Sequence, residues 1–213
     1  MTISSTNSVV FLMGPTASGK TDLALEMYNQ LDASLISVDS ALIYRGMDIG
    51  TAKPSKVTLE NYPHALIDIC EPDESFSVNQ FVSLAKQHIK SALNAGKLPI
   101  LVGGTSFYFN ALEYGLSKLP ESTKDSRKYF NDRLKNQGSE KLHSQLLKID
   151  QKSATRIHPN DSQRVTRALE VFHLSGVTLS ELQGNKNENK LNHEIKKIIL
   201  MPERSELHQR IEK

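Results

Sequence analysis

The sequence predicts a three-layer α/β fold, with a parallel sheet between helices, plus an inserted helical domain. Short apolar runs alternate with stretches of helical periodicity over most of the 213 residues, which is typical of successive βαβ units. The first apolar run leads into a glycine-rich turn and a helix. From about residue 115 to residue 160 the strand pattern disappears. We therefore expect a core of residues 1–115 and 161–213, and an inserted domain of residues 116–160.

The first predicted element is a strand followed by a turn with the spacing of a phosphate-binding loop. Val9–Met13 is a short apolar run, as in a strand buried on both faces. The next eight residues match G-x-x-x-x-G-K-[ST] without a mismatch. They are Gly14, Pro15, Thr16, Ala17, Ser18, Gly19, Lys20 and Thr21. Apolar residues then recur at helical spacing from Leu23 to Leu31, so the core is predicted to be P-loop NTPase-like.

The chemistry expected of this turn is binding of a phosphate or diphosphate group. Backbone N–H groups of the turn and of the helix N-terminus favour an anion. Lys20 adds a positive charge and is a candidate catalytic residue, and the Thr21 hydroxyl is placed to bind Mg²⁺. The motif alone leaves open whether the bound phosphate is transferred, hydrolysed or released.

Four further apolar runs predict the remaining strands of the sheet. They are Ala33–Asp39, His64–Ile69, Leu98–Gly104 and Glu194–Met201. Between two of them, Val78–Leu93 has the periodicity of a helix. In a parallel sheet of this kind, ligands bind at the carboxyl ends of the strands, so residues that end a strand are the candidates for a site.

Asp39 ends the second predicted strand and is the candidate general base, because a carboxylate near a nucleophile can accept its proton. A helix N-cap and a carboxylate that positions a Mg²⁺ ligand are the alternatives. Asp68 is a candidate metal-binding aspartate, although a structural carboxylate is favoured there. Thr105, after Gly103 and Gly104, presents a hydroxyl at the end of the fourth strand, and its alternative role is a helix N-cap.

The inserted domain is predicted to be helical and basic. Arg127–Leu147 is helical with a break at Gly138, and Asn160–Gly176 has the signals of a further helix. The stretch from Lys118 to Arg167 contains 12 Lys and Arg against 6 Asp and Glu. This excess could bind nucleic acid, or it could be a solvated helical surface. Few aromatic residues accompany it, so base-stacking platforms are not evident.

The composition excludes several classes of protein. No window of eighteen apolar residues indicates a membrane span, and Met1–Ser8 lacks the order of a signal peptide. Cys70 is the single cysteine, so an internal disulfide is impossible. No pair of histidines has metal-ligand spacing, so no zinc is expected. We expect a cytoplasmic protein, monomeric and without a membrane partner.

Five segments together resemble the tRNA dimethylallyltransferase family. They are GPTASGKT (14–21), ISVDSALIYRGMDIGTAKP (36–54), LVGGTSFYFNAL (101–112), RIHPNDSQRVTRALEV (156–171) and LHQRIE (207–212). They stand in the family's order. The second segment is more specific than the phosphate loop, because kinases share the loop but not this segment.

The resemblance implies transfer of a dimethylallyl group from dimethylallyl diphosphate to the exocyclic N6 amine of the adenosine 3′ of a tRNA anticodon. The phosphate loop would hold the leaving diphosphate with Mg²⁺, Asp39 would take the amine proton, and Thr105 would orient the substrate. The residues implied to contact the tRNA anticodon stem-loop are Asp39, Ser40, Ala41, Leu42, Thr105, Arg127, Gln163, Arg164, Val165, Thr166 and Arg167. The target base would have to leave its stack.

Two features depart from the family's pattern. Leu42 stands where many members carry Gln, so a side-chain amide is absent there. The family's chains are longer, and its pattern would place a diphosphate-binding arginine just past Lys213. The resemblance therefore implies weak or no activity for these 213 residues alone.

Other functions remain open at this point. A small-molecule P-loop kinase would use Asp39 to activate an acceptor hydroxyl. An adenine-nucleotide isopentenyltransferase would use the same loop on a free nucleotide. A non-catalytic RNA- or nucleotide-binding fragment is the alternative of another class. Salt-dependent binding of an anticodon stem-loop separates the RNA-directed functions from the small-molecule ones.

Overall fold

The structure, a computed structural model, describes residues 7–184 and 190–212. Within those residues the chain forms two compact units, unit 1 of residues 7–116 and 190–212 and unit 2 of residues 117–184. The strands are β1 (Ser8–Met13), β2 (Ala33–Val38), β3 (His64–Ala65), β4 (Leu98–Gly103) and β5 (Glu194–Ile199). The helices are α1 (Lys20–Gln30), α2 (Lys56–Asn61), α3 (Val78–Asn94), α4 (Ser106–Tyr114), α5 (Lys124–Gln137), α6 (Ser139–Ile149), α7 (Gln151–Arg156), α8 (Ser162–Ser175), α9 (Leu179–Gly184) and α10 (Arg204–Ile211).

Unit 1 is built on a five-stranded parallel sheet with the order β3-β2-β4-β1-β5. All five predicted strands are present, which confirms the predicted parallel α/β class. The third is shorter than predicted, because Leu66 and Asp68 have φ angles of 66° and 54°, left-handed values that do not continue a strand. The carboxyl ends of β1, β2 and β4 lie side by side, which is where such sheets bind ligands.

Helices cover both faces of this sheet, because alternate residues of each buried strand point to opposite sides. Ala33 and Leu35 of β2 pack with Ala24 of α1 on one face. Ile36 and Val38 of the same strand pack on the other face, in a core that also contains residues of α3 and α4. The three-layer arrangement is therefore confirmed. In the described part of the chain, no helix is both long and apolar enough to cross a membrane.

Unit 2 is helical and has its own core, formed around Phe130, Leu142 and Leu146. The predicted boundary at residue 160 is corrected, since α8 belongs to this unit. Val165 and Leu169 of α8 are buried in the core of unit 2. The apolar stripe of α8 was visible in the sequence, but a stripe does not say which core it covers.

Candidate active site

The carboxyl ends of β1, β2 and β4 open into a cavity of about 550 Å³ in unit 1. Residues 16–22 of the glycine-rich turn and α1 line it, together with residues from the end of β2 and the loop beyond it. The latter are Ser37, Asp39, Leu42, Thr51, Ala52 and Pro54. The sequence predicted that Asp39 and the phosphate loop would meet at this edge, and the structure places both on one cavity.

The glycine-rich turn is bent by two residues in the left-handed region. Gly19 has φ 87° and is the N-cap of α1, and Ala17 has φ 63°. For a residue with a β-carbon this conformation costs about 1–3 kcal/mol and persists only where the surroundings enforce it. Arg210 of α10 contributes to that enforcement, since its Nη1 donates to the Ala17 carbonyl at 3.0 Å.

The ammonium group of Lys20 lies inside this turn. Its Nζ donates to the Pro15 carbonyl at 2.5 Å and to Ser18 Oγ at 3.5 Å. Burial lowers the pKa of Lys20, and the negative charge of Asp39 opposes that shift in part. A bound anion would favour the charged lysine more strongly than these neutral oxygens do.

The carboxylate of Asp39 is held by the backbone that follows it. Its Oδ1 accepts hydrogen bonds from the N–H groups of Ala41 at 2.8 Å and Leu42 at 3.3 Å. Among the described residues, Oδ2 has no hydrogen-bond partner. Asp39 is not a helix N-cap, because the next helix, α2, begins only at Lys56. The carboxylate is therefore oriented, with one oxygen left for another molecule.

Thr105 joins the ends of β2 and β4. It stands at the N-cap position of α4, but its side chain makes no capping bond. Instead its Oγ1 accepts from the N–H of Ser40 at 3.1 Å. Gly103 permits the close approach, since a β-carbon there would lie 2.0 Å from the Val38 carbonyl oxygen. The predicted residues Asp39, Ser40, Ala41, Leu42 and Thr105 are thus brought together.

The loop of residues 39–54, here called the Asp39 loop, is held in place by hydrogen bonds from the buried Lys53 ammonium. The Lys53 side chain is 3% exposed, and its Nζ donates to Asp68 Oδ1 at 2.6 Å. It also donates to the Tyr44 carbonyl and to Asp48 Oδ1, each at 2.9 Å. Burial would lower the pKa of Lys53, but hydrogen bonds to Asp68 and Asp48 outweigh it and raise the pKa. Asp68 thus has the structural role that the sequence favoured.

The protein groups available to a metal ion are few and oxygen-based. Within the described residues, no group of three or more His, Cys, Asp or Glu side chains could hold one. Thr21, Asp22 and Asp39 all line the cavity. A hydroxyl and a few carboxylates suit Mg²⁺, which keeps water and substrate phosphates as its other ligands.

The other predicted RNA-contacting residues lie in unit 2. The side chains of Arg127, Gln163 and Arg164 are exposed, and Arg164 pairs with Asp161 at 3.1 Å. Val165 is fully buried in the core of unit 2, so its side chain is a core contact and does not reach RNA. Thr166 Oγ1 donates to the backbone carbonyl of Ser162.

The Arg167 side chain forms hydrogen bonds within unit 2. Its guanidinium donates to Glu170 Oε2 and to the Pro120 carbonyl at 2.6 Å, and to Ser122 Oγ at 2.7 Å. Glu170 is 4% exposed and also accepts from Ser126 Oγ at 2.5 Å. Burial would raise the pKa of Glu170, but the hydrogen bonds and the Arg167 charge outweigh it and lower the pKa. In this structure Arg167 orders the start of unit 2.

Sequence reasoning missed several residues of the cavity, among them Ser37 and Arg210. Ser37 is one of two hydroxyls in β2, and its place two residues before Asp39 puts it near the carboxyl end of the strand. Arg210 comes from α10, and no local pattern places that helix beside the turn after β1. Thr51, Ala52 and Pro54 also line the cavity and lie within the segment that resembles the family.

A parallel sheet, a glycine-rich turn at the N-terminus of α1 and a lysine within it define a P-loop type of phosphate-binding protein. The IPP transferase family matches residues 42–213. The tRNA dimethylallyltransferase of Ruthia magnifica subsp. Calyptogena magnifica is 66% identical over 212 residues, which span 100% of this chain and 69% of that protein. The chain belongs to the IPP transferase family.

Two solved structures are similar to this one. The full-length tRNA isopentenylpyrophosphate transferase of Bacillus halodurans has 39% identity and a TM-score of 0.60, over 97% of this chain and 63% of that one. A eukaryotic dimethylallyltransferase, crystallised acting on tRNA, has 27% identity and a TM-score of 0.77, over 96% of this chain and 51% of that one. These relatives confirm the P-loop NTPase-like fold class.

Proposed function

We propose that this chain transfers a dimethylallyl group from dimethylallyl diphosphate to the N6 amine of a tRNA adenosine 3′-adjacent to the anticodon. The carbon–oxygen bond to the diphosphate breaks, and its electron pair leaves with the diphosphate. A bond forms between that carbon and the amine nitrogen, and the amine proton passes to Asp39. The protein is accordingly a prenyltransferase that modifies tRNA.

The observation that carries this proposal is the shared cavity of Asp39 and the phosphate-binding turn. The turn's N–H groups and Lys20 stabilise the charge that develops on the departing diphosphate. Asp39, with Oδ1 fixed by Ala41 and Leu42, presents Oδ2 to the incoming nucleophile. In this reaction the diphosphate bound by the turn is the leaving group. The nucleophile beside Asp39 is the adenosine amine.

Mg²⁺ is the divalent ion that we propose for this site, held by the Thr21 hydroxyl with the diphosphate and water. When bound, it would add positive charge against the leaving group. Asp22 and Asp39 line the same cavity and suit a hydrated hard cation.

The RNA contacts are proposed in each unit separately. Ser40, Ala41, Leu42 and Thr105 frame Asp39 in unit 1, where a flipped adenine would meet the carboxylate. In unit 2 the exposed Arg127, Gln163 and Arg164 would contact the anticodon stem-loop, and Lys and Arg contacts to phosphates position RNA without specifying the base. A tRNA substrate leads us to propose the cytoplasm as the location. We also propose a monomer, since the cavity is lined by residues of this one chain.

The test is a transfer assay with Mg²⁺, labelled dimethylallyl diphosphate and an anticodon stem-loop containing the target adenosine. The R. magnifica relative is the positive control, and an A-to-G stem-loop is the substrate control. We expect label on the adenosine substrate, at a rate below that of the longer relative, of which this chain spans 69%. Asp39→Asn should lower that rate by a further factor of about 10²–10⁴, while it keeps an oxygen for the Ala41 and Leu42 N–H groups.

Three outcomes would contradict the proposal while the relative is active. Label on free adenine nucleotide but not RNA indicates the nucleotide isopentenyltransferase. Consumption of ATP with a small acceptor indicates a kinase. Salt-sensitive RNA binding with no transfer under any condition indicates a binding module.

A further inference from the structure

Ser37 is a buried polar side chain of unit 1 that the proposed reaction does not use. It is 2% exposed and lies in β2, two residues before Asp39. Its Oγ is fully buried and has no hydrogen-bond partner in the described part of the chain. It lines the same cavity as the phosphate-binding turn.

An unpartnered buried hydroxyl is unfavourable, since it loses its hydrogen bonds to water and gains none in return. Native proteins keep few such groups, and each calls for an explanation. Its neighbours in the sheet do not supply one, because the residue in register with Ser37 on β4 is Val102, an apolar side chain. A ligand in the cavity would give the Ser37 hydroxyl a hydrogen-bond partner.

The alternation along β2 decides which ligand the hydroxyl faces. Ala33 and Leu35 pack against α1, whereas Ile36 and Val38 pack on the opposite face. Ser37 continues the series 33, 35, 37 and therefore points to the face that α1 covers. The N-terminus of α1 begins at Lys20 on that side, so Ser37 faces the anion-binding end of the helix.

We infer that Ser37 binds the diphosphate of the prenyl donor, with its hydroxyl donating a hydrogen bond to a diphosphate oxygen. The inference rests on the proposed function and adds a strand residue to a cradle otherwise made by the turn. Two cations, Lys20 and Arg210, line the cavity, and so do the carboxylates of Asp22 and Asp39. Beside the N–H groups of the turn and these two cations, a hydroxyl gives a diphosphate oxygen one more hydrogen bond and adds no charge.

The test compares Ser37→Ala and Ser37→Cys with Ser34→Ala in binding of inorganic diphosphate with Mg²⁺, measured by calorimetry. Ser34 belongs to the same strand but its side chain points to the opposite face, so it controls for the loss of a strand hydroxyl. Hydrogen bonds to charged groups correspond to a loss of about tenfold or more in affinity. We expect that loss in both Ser37 variants and none in Ser34→Ala. The KM for dimethylallyl diphosphate should rise in parallel.

A second readout is the melting temperature without ligand. Ser37→Ala removes an unsatisfied group, so it should melt at or above the wild-type temperature. Ser37→Ala is smaller than the native side chain and Ser37→Cys is larger, and both lack the strong hydroxyl donor, so a loss shared by the two variants reports the hydrogen bond and not the volume. Wild-type affinity in Ser37→Cys, or a clear fall in the melting temperature of Ser37→Ala, would overturn the inference. If the unaltered chain does not bind diphosphate, the proposed function itself fails, which is a separate result.

Discussion

The buried polar groups of unit 2 have hydrogen-bond partners within the chain, whereas the cavity of unit 1 contains a buried hydroxyl that has none in the part of the chain that the structure describes. In unit 2, Glu170 receives hydrogen bonds from Ser122, Ser126 and Arg167. In unit 1, Ser37 has no partner among the described residues, and Lys20 donates only to neutral oxygens. A cluster whose groups are all partnered within the chain maintains architecture. A cavity that leaves one hydroxyl unpartnered and a lysine bonded only to neutral oxygens is suited to bind an anionic ligand.

The largest expected effect concerns the rigidity of the unit 1 cavity. In Gly103→Ala the new β-carbon would lie 2.0 Å from the Val38 carbonyl, so β2 and β4 would have to separate. We expect a loss of about 3 kcal/mol or more in the free energy of unfolding, the upper range for overpacking. Chemical denaturation measures it. Gly104→Ala is the control, since its β-carbon would meet the Gly14 carbonyl at 3.3 Å; equal losses in both variants would show that the close approach is not rigid.

The next effect separates architecture from RNA contact in unit 2. Arg167→Ala leaves the buried Glu170 without its cation and should cost about 2 kcal/mol of stability. Arg164→Ala breaks only an exposed pair with Asp161 and should cost less than about 0.5 kcal/mol. Arg164→Ala should instead lower the affinity for an anticodon stem-loop and flatten its salt dependence. Equal losses of stability and of RNA affinity in the two variants would show that Arg167 and Arg164 do not divide into a structural and an RNA-contacting residue.

A smaller effect concerns the Asp39 loop. Lys53→Met keeps the buried stem and removes the ammonium that joins Tyr44, Asp48 and Asp68. Since Asp48 and Asp68 are partly exposed, we expect a modest loss of about 1 kcal/mol. The KM for the donor should rise, because the loop contributes to the cavity wall. Arg45→Met is the comparison, since Arg45 also joins this loop to residues 68–71, but through exposed contacts with the Asp68 carbonyl and Glu71. If Arg45→Met raised the KM for the donor as much as Lys53→Met, the buried Lys53 ammonium would have no special role in holding the loop.

The smallest effect is a pH dependence in unit 2. The folded-state pKa of Glu170 is lowered, so its charged form adds stability that is fully present above its unfolded pKa. That stability is lost as the pH falls through the lower folded pKa. Glu170→Gln should therefore be less stable at neutral pH, and the difference should shrink below about pH 4.3. Unfolding curves at neutral and acid pH measure the difference, and a constant gap would contradict the assigned charge.

Local patterns predicted the strands and the phosphate-binding turn well, because spacing and apolar runs are properties of neighbouring residues. The early end of β3 escaped prediction, since the left-handed Leu66 and Asp68 carry no glycine signal. Arg210 reaches the cavity through the fold, which single-sequence periodicity does not encode. The burial of Val165 was accessible, because Val165 and Leu169 stand four residues apart on one helical face. The resemblance assigns Val165 to RNA contact, whereas its helical spacing from Leu169 assigns it to the core.

The position of β1 has a consequence for the synthesis of this protein. β1 is the first described strand, yet it pairs with β4 and β5, and Ser8 bonds Glu194 across 186 residues. Because the partners of β1 emerge from the ribosome much later, its apolar face must wait for them. Contacts so distant along the chain slow folding, and an unpaired strand is prone to aggregate meanwhile. The nascent chain therefore completes its phosphate-binding edge only after β4, the first partner of β1, has been synthesised.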